Sequence, residues 1–382
     1  MRIALDSWVL SSRFRNHGTY VYAHSLIAEF KKIAQSDHET AFFLFTSPKN
    51  SNDANLIQPS ERFELARAPG LTHDKLWRLG GFSRAAARLR ADLVFAPTLS
   101  IFPVGRIPVV CTIHDVTPVV MPSHSRKVNL LQRSLLWAST KRACAIITDS
   151  QCSKNDLLNL YGLPESKIKV VYLGYDKTLF NSNAPDSEQQ KALLSRLGIT
   201  RPYILHHGVI QPRKNLKRLI EAYRLMLSRN PNLDMDLVLA GGLGWQYKEV
   251  LEVVNESGAK GSRVVLPGAL DGPDLALLIK GASLVVIPSL YEGFCLPMVE
   301  SMACGVPVIA SRTSCLPEVS GNVLKYFDPY SIEDIADSIE QALEHEELRK
   351  RLAEEGKKRA AFFDWHKCAE ETLAVLKEAR TK

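Results

Sequence analysis

Two glutamates stand eight positions apart in the run SLYEGFCLPMVESMACGVPVIAS, residues 289 to 311. Strand-like SLVVIPS ends at Ser289, the loop LYEGF follows, and a helix is expected from about Leu296 with Pro297 in its first turn, a favoured place for proline. A helix start carries free N–H groups and positive dipole, so it attracts phosphate. Gly293 lets backbone approach a ligand closely. Glu300 lies about one turn in. A carboxylate there cannot pair with phosphate, but it can accept two hydrogen bonds from a vicinal diol such as ribose. Glu292 in the loop can hold sugar hydroxyls. The plain alternative for Glu300 is a solvated or dipole-compensating glutamate. Against it, Val299, Met302, Ala303 and Val306 mark a buried helix, where an unpaired carboxylate is costly.

Positioning these groups requires a scaffold, and the chain spells one out. Apolar, β-branched runs recur with helical stretches between many of them. In the first half they are RIALDS, TAFFLFTS, FELARAP, DLVFAP, PVVCTIHD, CAIITDS and KVVYLGY; in the second, YILHHGV, DLVLAGG, RVVLPGA, SLVVIPS, PVIAS and VLKYFD. Strands apolar on both faces belong in buried parallel sheets. Two such halves predict an α/β chain with two Rossmann-like, doubly wound domains facing across a cleft. The polar stretch NSNAPDSEQQ, residues 181 to 190, is the expected joint. The domains are then 1–183 and 184–364, with 365–382 a last helix packing back toward the first. Open α/β sheets bind ligands beyond the carboxyl ends of their strands. Asp6, Pro97, His114, Asp115, Ser150 and Gly174 stand at such ends in the first half; His207, Gly208, Gly241, Gly242, Pro288 and Ser289 do in the second.

The 382 residues are 46% hydrophobic and 23% charged, which excludes a disordered chain, and the net charge of +7 suits an anionic ligand or a membrane face. No nucleic-acid-binding signature is present. Seven scattered cysteines without a C-x-x-C pair point to a reduced, cytoplasmic protein, with no zinc site or disulfide framework. No signal peptide and no bilayer-spanning run is apparent.

With these residues in view, E-G-F-x-L-P-x-x-E-x-M-A-x-G-x-P-V-I-A resembles the donor-site signature of retaining glycosyltransferases of family 4 (group 1), which have the GT-B fold. The resemblance runs through nearly the whole chain. RIALDSWVL…HGTYVYAHSL is similar to the family's first strand, loop and helix, TIHDVTP to its histidine motif, ITDSQCSKNDLLNLYGLPESKIKVVYLGYD to its last N-domain unit, and GVIQPRKNLKRLIEAY to its basic phosphate motif.

The resemblance implies a nucleotide-sugar donor, GDP- or UDP-sugar, with no cofactor and no metal. It implies donor contacts from Gly18, Gly208, Arg213, Lys214, Gly241, Gly268, Glu292, Gly293, Phe294, Cys295, Leu296 and Glu300. A departing diphosphate needs positive charge where its own charge builds up. Arg213 and Lys214 sit just ahead of a helix, where the dipole disfavours cations, so their pairing there is suggestive. Many relatives carry an arginine several residues earlier; here that place is Val209-Ile210. Where relatives often have two glycines, this chain has His17-Gly18, and Cys295 stands where glycine is common, a small filler and not a nucleophile. His114 resembles the residue that contacts the transferred sugar near its anomeric carbon, with Asp115 expected to orient it. No carboxylate is placed as a nucleophile, and the family favours front-face attack over double displacement. The D-x-D at Asp234 and Asp236 begins a strand away from the ligand end and reads as strand-edge solvation.

The acceptor side carries less. Asp6, Arg13, Arg15 and Ser150 are its candidates. SHSRKVNLLQRSLLWASTKR, residues 123 to 142, reads as an amphipathic helix with Val128, Leu131, Leu135 and Ala138 on one face. Arg126, Lys127, Arg133 and Lys141 lie on another, with Leu130 and Trp137 among them. It either packs on the sheet or lies on an anionic membrane. The expected function is hexosyl transfer, mannose the first guess, to a glycan or lipid-linked acceptor of a cell-surface polysaccharide. The expected setting is cytoplasmic, with peripheral contact at the inner membrane face as the further option. The rivals are an inactive nucleotide-sugar-binding subunit, a sucrose-synthase-like transferase and a nucleotide-sugar epimerase.

Overall fold

The computed structural model describes residues 1–10, 17–45, 60, 62–66, 77–99, 102–121, 126–256 and 263–380. They form two units, Met1–Gly174 with Asp364–Lys382, and Tyr175–Phe363. In the first unit the strands are β1 (Arg2–Asp6), β2 (Ala41–Phe45), β3 (Phe63–Ala66), β4 (Leu93–Ala96), β5 (Val109–Thr112), β6 (Ala145–Thr148) and β7 (Ile168–Val170). They make one parallel sheet in the order β3-β2-β1-β4-β5-β6-β7. In the second unit β8 (Tyr203–His207), β9 (Asp236–Ala240), β10 (Val264–Gly268), β11 (Leu284–Ile287), β12 (Val308–Ser311) and β13 (Lys325–Phe327) are also all parallel, in the order β10-β9-β8-β11-β12-β13. Each apolar run read as a strand is one. Their burial explains the composition: AFFLF has four of five side chains buried, and LVFA, VVCT, AIIT, LVVI and VIAS are buried throughout.

Strand order reverses direction between β1 and β4 and again between β8 and β11. Such switch points open a crevice at the carboxyl ends of the strands, the general ligand position of this architecture. The loops after β8 and β11 therefore lie side by side at the second unit's switch point.

The change of unit at Gly174 and Tyr175 falls before the joint read from the sequence at 181–190. Residues just after Gly174 are already held by the second unit. Lys280 Nζ donates to Asn181 Oδ1 at 3.1 Å, and the Leu179 side chain leaves no room for a Cβ at Gly272. The last helix, Trp365–Arg380, belongs to the first unit and runs against the helix Gly18–Ser36. Trp365, Cys368, Ala369, Thr372, Leu373, Val375, Leu376 and Ala379 form its buried face. Gly174 fits against the backbone at Trp365 only because it lacks a Cβ. The pairs Lys377–Asp37 (3.0 Å) and His366–Glu29 (3.2 Å) flank the contact. Surface pairs contribute about 0–1 kcal/mol each, against about 1.5–3 kcal/mol for each large buried apolar side chain, so packing holds this helix.

Candidate active site

The donor signature builds a compact ionic centre. The helix Leu296–Ala303 begins where the sequence places it, with Pro297 in its first turn. Cys295 precedes it at φ +77°, a left-handed conformation that favours glycine. Its thiol is buried and pushed up to about 12 by that burial and by the nearby Glu292 charge, so it is no thiolate nucleophile. Phe294 is buried edge-on against Phe363, 5.2 Å between ring centroids. Its ring is packing, not a ligand surface.

Glu292 is 4% exposed and both of its carboxylate oxygens are engaged. Lys214 Nζ donates to Oε1 at 2.5 Å, Ser289 Oγ to the same oxygen at 2.7 Å, and Arg213 Nη1 to Oε2. Arg213 also donates to the Tyr291 carbonyl at 3.0 Å, and its own carbonyl accepts from Leu290 N at 2.8 Å. The short turn Pro212–Lys214 after β8 is thereby tied to the loop after β11 by side chain and backbone. Burial raises the Glu292 carboxyl, but the Arg213 and Lys214 charges outweigh it and hold the group down at about 2. Two cations on one carboxylate leave surplus positive charge in a nearly dry site, where it acts at short range with little screening.

A second loop braces the first. Ser314, at φ +51°, accepts from Glu292 N at 2.9 Å and donates to the Glu292 carbonyl. Thr313 Oγ1 donates to the Ser289 carbonyl at 3.0 Å, and Ser311 Oγ donates to it as well. The sequence reading missed Ser314. Only its place in a small-polar run after a strand hinted at it.

Glu300 differs from Glu292 in its partners and its charge. Among the described residues no hydrogen bond reaches its carboxyl oxygens, and His207 Nδ1 stands 3.9 Å away. His207 is neutral: burial, then His206 and Lys214, push it down to about 3, and its Nε2 lies 2.9 Å from Ser301 Oγ. Burial pushes Glu300 up to about 7, with Asp176 adding to the rise and Lys214 opposing it. A mostly buried carboxyl with acceptor capacity to spare, one turn into a helix, suits a pair of hydroxyl donors.

Glycines make room. Gly208 has φ +130°, and a Cβ there would stand 3.7 Å from both Lys214 Nζ and Pro297 Cγ. A Cβ at Gly241 would collide with the Gly208 carbonyl, so these two strand ends close on each other. Gly268, at φ +80°, faces open space. Gly18 opens the helix Gly18–Ser36 and is exposed.

In the first unit His114 follows β5, but its partner is not Asp115. Nδ1 lies 2.7 Å from Asp149 Oδ2 and Nε2 3.1 Å from the Pro97 carbonyl. Asp115 instead accepts from Thr117 N at 2.8 Å, fixing the start of a short helix. Asp149 follows β6 in ITDS and was passed over in the sequence, although its strand end was marked by Ser150. Ser150 itself is corrected: it is fully buried and caps the helix Gln151–Tyr161 by accepting from Ser153 N. Asp6 is 1% exposed and accepts from Trp77 Nε1 at 3.1 Å and Trp8 N at 3.2 Å. Arg13 and Arg15 lie outside the described residues. The D-x-D is corrected in part: Asp234 is a solvated partner of Arg201, but Asp236 is fully buried, with Arg263 Nη1 at 3.4 Å and Arg201 Nη1 at 3.8 Å. Among the described residues no group of three or more His, Cys, Asp or Glu could hold a metal. The seven cysteines are free thiols.

The family model described as glycosyl transferases group 1 matches residues 190–359, and that described as Glycosyltransferase Family 4 matches 17–179. The O-antigen chain mannosyltransferase B of Escherichia coli is 31% identical over 272 residues, 70% of each chain. The chain belongs to glycosyltransferase family 4. It is a retaining hexosyltransferase of that family. Among solved structures, sucrose-phosphate synthase from Thermosynechococcus elongatus superposes with a TM-score of 0.77 at 21% identity, over 99% of this chain and 98% of that one. HepE from Anabaena, in complex with UDP and glucose, superposes with a TM-score of 0.74 at 20% identity, over 99% and 100%. These likenesses establish the GT-B fold, two parallel-sheet Rossmann-like domains.

Proposed function

We propose that this family 4 enzyme moves a hexose, mannose first, from a GDP- or UDP-sugar to a glycan or lipid-linked acceptor of a cell-surface polysaccharide, without a metal. The observation that carries the donor side is the pairing of contrasts at the β8 and β11 ends: a buried Lys214 and a partly buried Arg213 tied to Glu292, beside Glu300 with unused acceptor capacity. Arg213 and Lys214 hold the diphosphate and meet the charge that develops on it. Glu300 holds the ribose diol, and Glu292 and the Gly293 backbone border the sugar. The acceptor hydroxyl oxygen bonds to the anomeric carbon as the bond from that carbon to the diphosphate oxygen breaks. The electron pair leaves with the diphosphate, which takes the acceptor's proton. The mannosyltransferase similarity supports the sugar, and the UDP complex of HepE supports a nucleoside diphosphate.

Calorimetric titration with UDP, GDP, dTDP and ADP in the presence of EDTA tests this directly. One diphosphate is expected to bind saturably without metal, and its sugar nucleotide more tightly. Absence of binding to all four overturns the donor assignment and makes the vacancy at Val209-Ile210 the first suspect. Product analysis with donor alone separates transfer from epimerisation, and donor binding without any product points to an inactive binding subunit.

For the acceptor we propose a cytoplasmic setting with peripheral contact at the inner membrane face. The helix Arg126–Arg142 supports it. Leu135, Leu136 and Ala138 pack inward, but Val128 (41%), Leu130 (68%) and Leu131 (42%) are exposed, so its first half does not pack on the sheet as the plainer reading expected, and Trp137 (59%) in the second half is exposed too. Trp137, Arg133 and Arg142 line a groove of about 550 Å³ with Phe102, Pro103 and Val104. That helix carries cations and no acid, which suits an anionic bilayer and repels a second copy. No helix among the described residues is long and apolar enough to cross a membrane. Sedimentation with vesicles containing about one-third anionic lipid is expected to carry down about ten-fold more protein than neutral vesicles, and R126E/K127E/R133E is expected to abolish the difference. Equal sedimentation with both vesicle types refutes the contact.

A further inference from the structure

His114, expected to contact the transferred sugar, is paired with a buried partner, Asp149, that had no assigned role. Imidazole Nδ1 faces a carboxylate oxygen and Nε2 faces a peptide carbonyl, 2.7 and 3.1 Å away. A carbonyl oxygen only accepts hydrogen bonds, and so does an ionised carboxylate. A neutral imidazole donates from one nitrogen and would set its other lone pair against an acceptor. While Asp149 is ionised, the ring satisfies both partners only when both nitrogens carry a proton; burial and Asp115 raise the Asp149 carboxyl against that ionisation, and the His114 charge and hydrogen bond favour it.

The surroundings agree. Asp149 is 2% exposed, and its second oxygen, Oδ1, is buried without a hydrogen-bond partner among the described residues, which leaves the His114 charge to balance it. Every element around the pair contributes a group. Asp115, from the loop after β5, adds negative charge beside the ring. From the helix Gly18–Ser36 comes Tyr22, whose ring meets the imidazole edge-on at 4.7 Å and whose hydroxyl is 2.9 Å from Thr112 Oγ1. From the last helix comes Cys368, buried behind Asp149 and kept as a thiol by burial and by that carboxylate. Ser153 Oγ donates to the His114 carbonyl at 3.0 Å and fixes the backbone. No cation is among these groups.

We infer that His114 is held as an imidazolium at neutral pH by Asp149 and the Pro97 carbonyl, and that Asp149 is the positioning residue that fixes the ring's charge and orientation. This rests on the proposed transferase chemistry only for its use. A ring already protonated at both nitrogens cannot take the acceptor's proton, so His114 is excluded as a general base. It acts as a fixed positive charge at the carboxyl end of the first sheet. The electrostatics support the geometry: burial lowers the His114 pKa, but the Asp149 charge and hydrogen bond, with Asp115, outweigh it and raise the group above its usual value. A raised folded value means that the charge, and the stability it lends, is fully present below about pH 6.5 and is lost as pH rises through the folded value.

Nitrogen-15 NMR of the full chain labelled at histidine reads this without donor or acceptor. His114, assigned by its loss in H114Q, is expected to show two protonated nitrogens at pH 7.5. In D149N its titration is expected to fall by about one to three pH units. The alkaline limb of kcat is expected to move down by the same amount, with KM for the donor little changed. A merely structural Asp149 would lower activity without moving either titration. A single-proton ring at pH 7.5 in the wild type overturns the inference, as does an unmoved titration in D149N. Should D149N fail to fold, the wild-type spectrum decides alone. An imidazolium found in a protein that transfers no sugar would refute the proposed reaction and leave the pair standing.

Discussion

Lys214→Ala is expected to lower kcat/KM for sugar transfer by about 10²–10³-fold, the usual loss when one preorganised donor to a developing oxyanion is removed. Lys214 Nζ is the natural candidate for that donor because it is 4% exposed, adjoins Gly208 and is held at one height by Glu292. The fold is expected to survive, since Glu292 keeps Arg213 and Ser289 as partners. Calorimetry with the nucleoside diphosphate, alongside steady-state rates, separates the contributions. Diphosphate affinity should fall less than kcat/KM, because charge on the leaving oxygen is greatest in the transition state. An unchanged rate would remove Lys214 from the chemistry.

Glu292→Ala is expected to be costlier to the protein than to any single contact. It leaves the buried Lys214 and the partly buried Arg213 without their shared counter-ion, and breaking a buried pair such as Lys214–Glu292 from one side costs about 3–5 kcal/mol. Denaturant midpoints measure this. The pH dependence carries a sign. The Glu292 pKa is depressed to about 2, so its stabilisation is present above the ordinary value near 4.5 and is lost as pH falls from there toward 2. Glu300 runs oppositely: with its pKa raised to about 7, ionisation costs stability, which is regained as pH falls from 7 toward 4.5. Wild type minus E292Q should therefore narrow on acidification below about pH 4.5, and a constant difference would refute the ion-pair account. The ligand readout refines the division of labour expected from the motif. Glu300→Ala should weaken the nucleoside diphosphate. Glu292→Ala should weaken the sugar nucleotide and, because Arg213 and Lys214 stand on it, the diphosphate as well. Diphosphate affinity unchanged in Glu292→Ala would mean the cations hold their place unaided.

Much of this was legible in the chain. Period and composition fix a strand that is buried on both faces, because nothing polar is tolerated there. Hence AFFLF, LVVI and their like could be read without coordinates. The helix start at Leu296 was legible for the same local reason, Pro297 being tolerated only near a helix N-terminus. The glutamates, the Arg213-Lys214 pair and the glycines of the strand ends were identifiable as types at a spacing.

Pairings were not, since they depend on which strand ends adjoin. Asp115 neighbours His114 in sequence, yet Asp149, 35 positions on, is its partner because β6 lies beside β5. Ser150 looked like a ligand residue at a strand end and proved to be a helix cap, its hydroxyl taken by Ser153 N. The first half of the helix Arg126–Arg142 looked like a packing face and stands exposed, because amphipathic spacing does not say whether anything covers it. The sequence by itself determined the two-sheet architecture, the family and the chemical types at the candidate donor site, all carried by local pattern. Only the tertiary structure decided that Glu292 is saturated by Arg213, Lys214 and Ser289 while Glu300 accepts no hydrogen bond among the described residues. That difference comes from strand order, which sets the turn after β8 against the loop after β11 and not against Glu300.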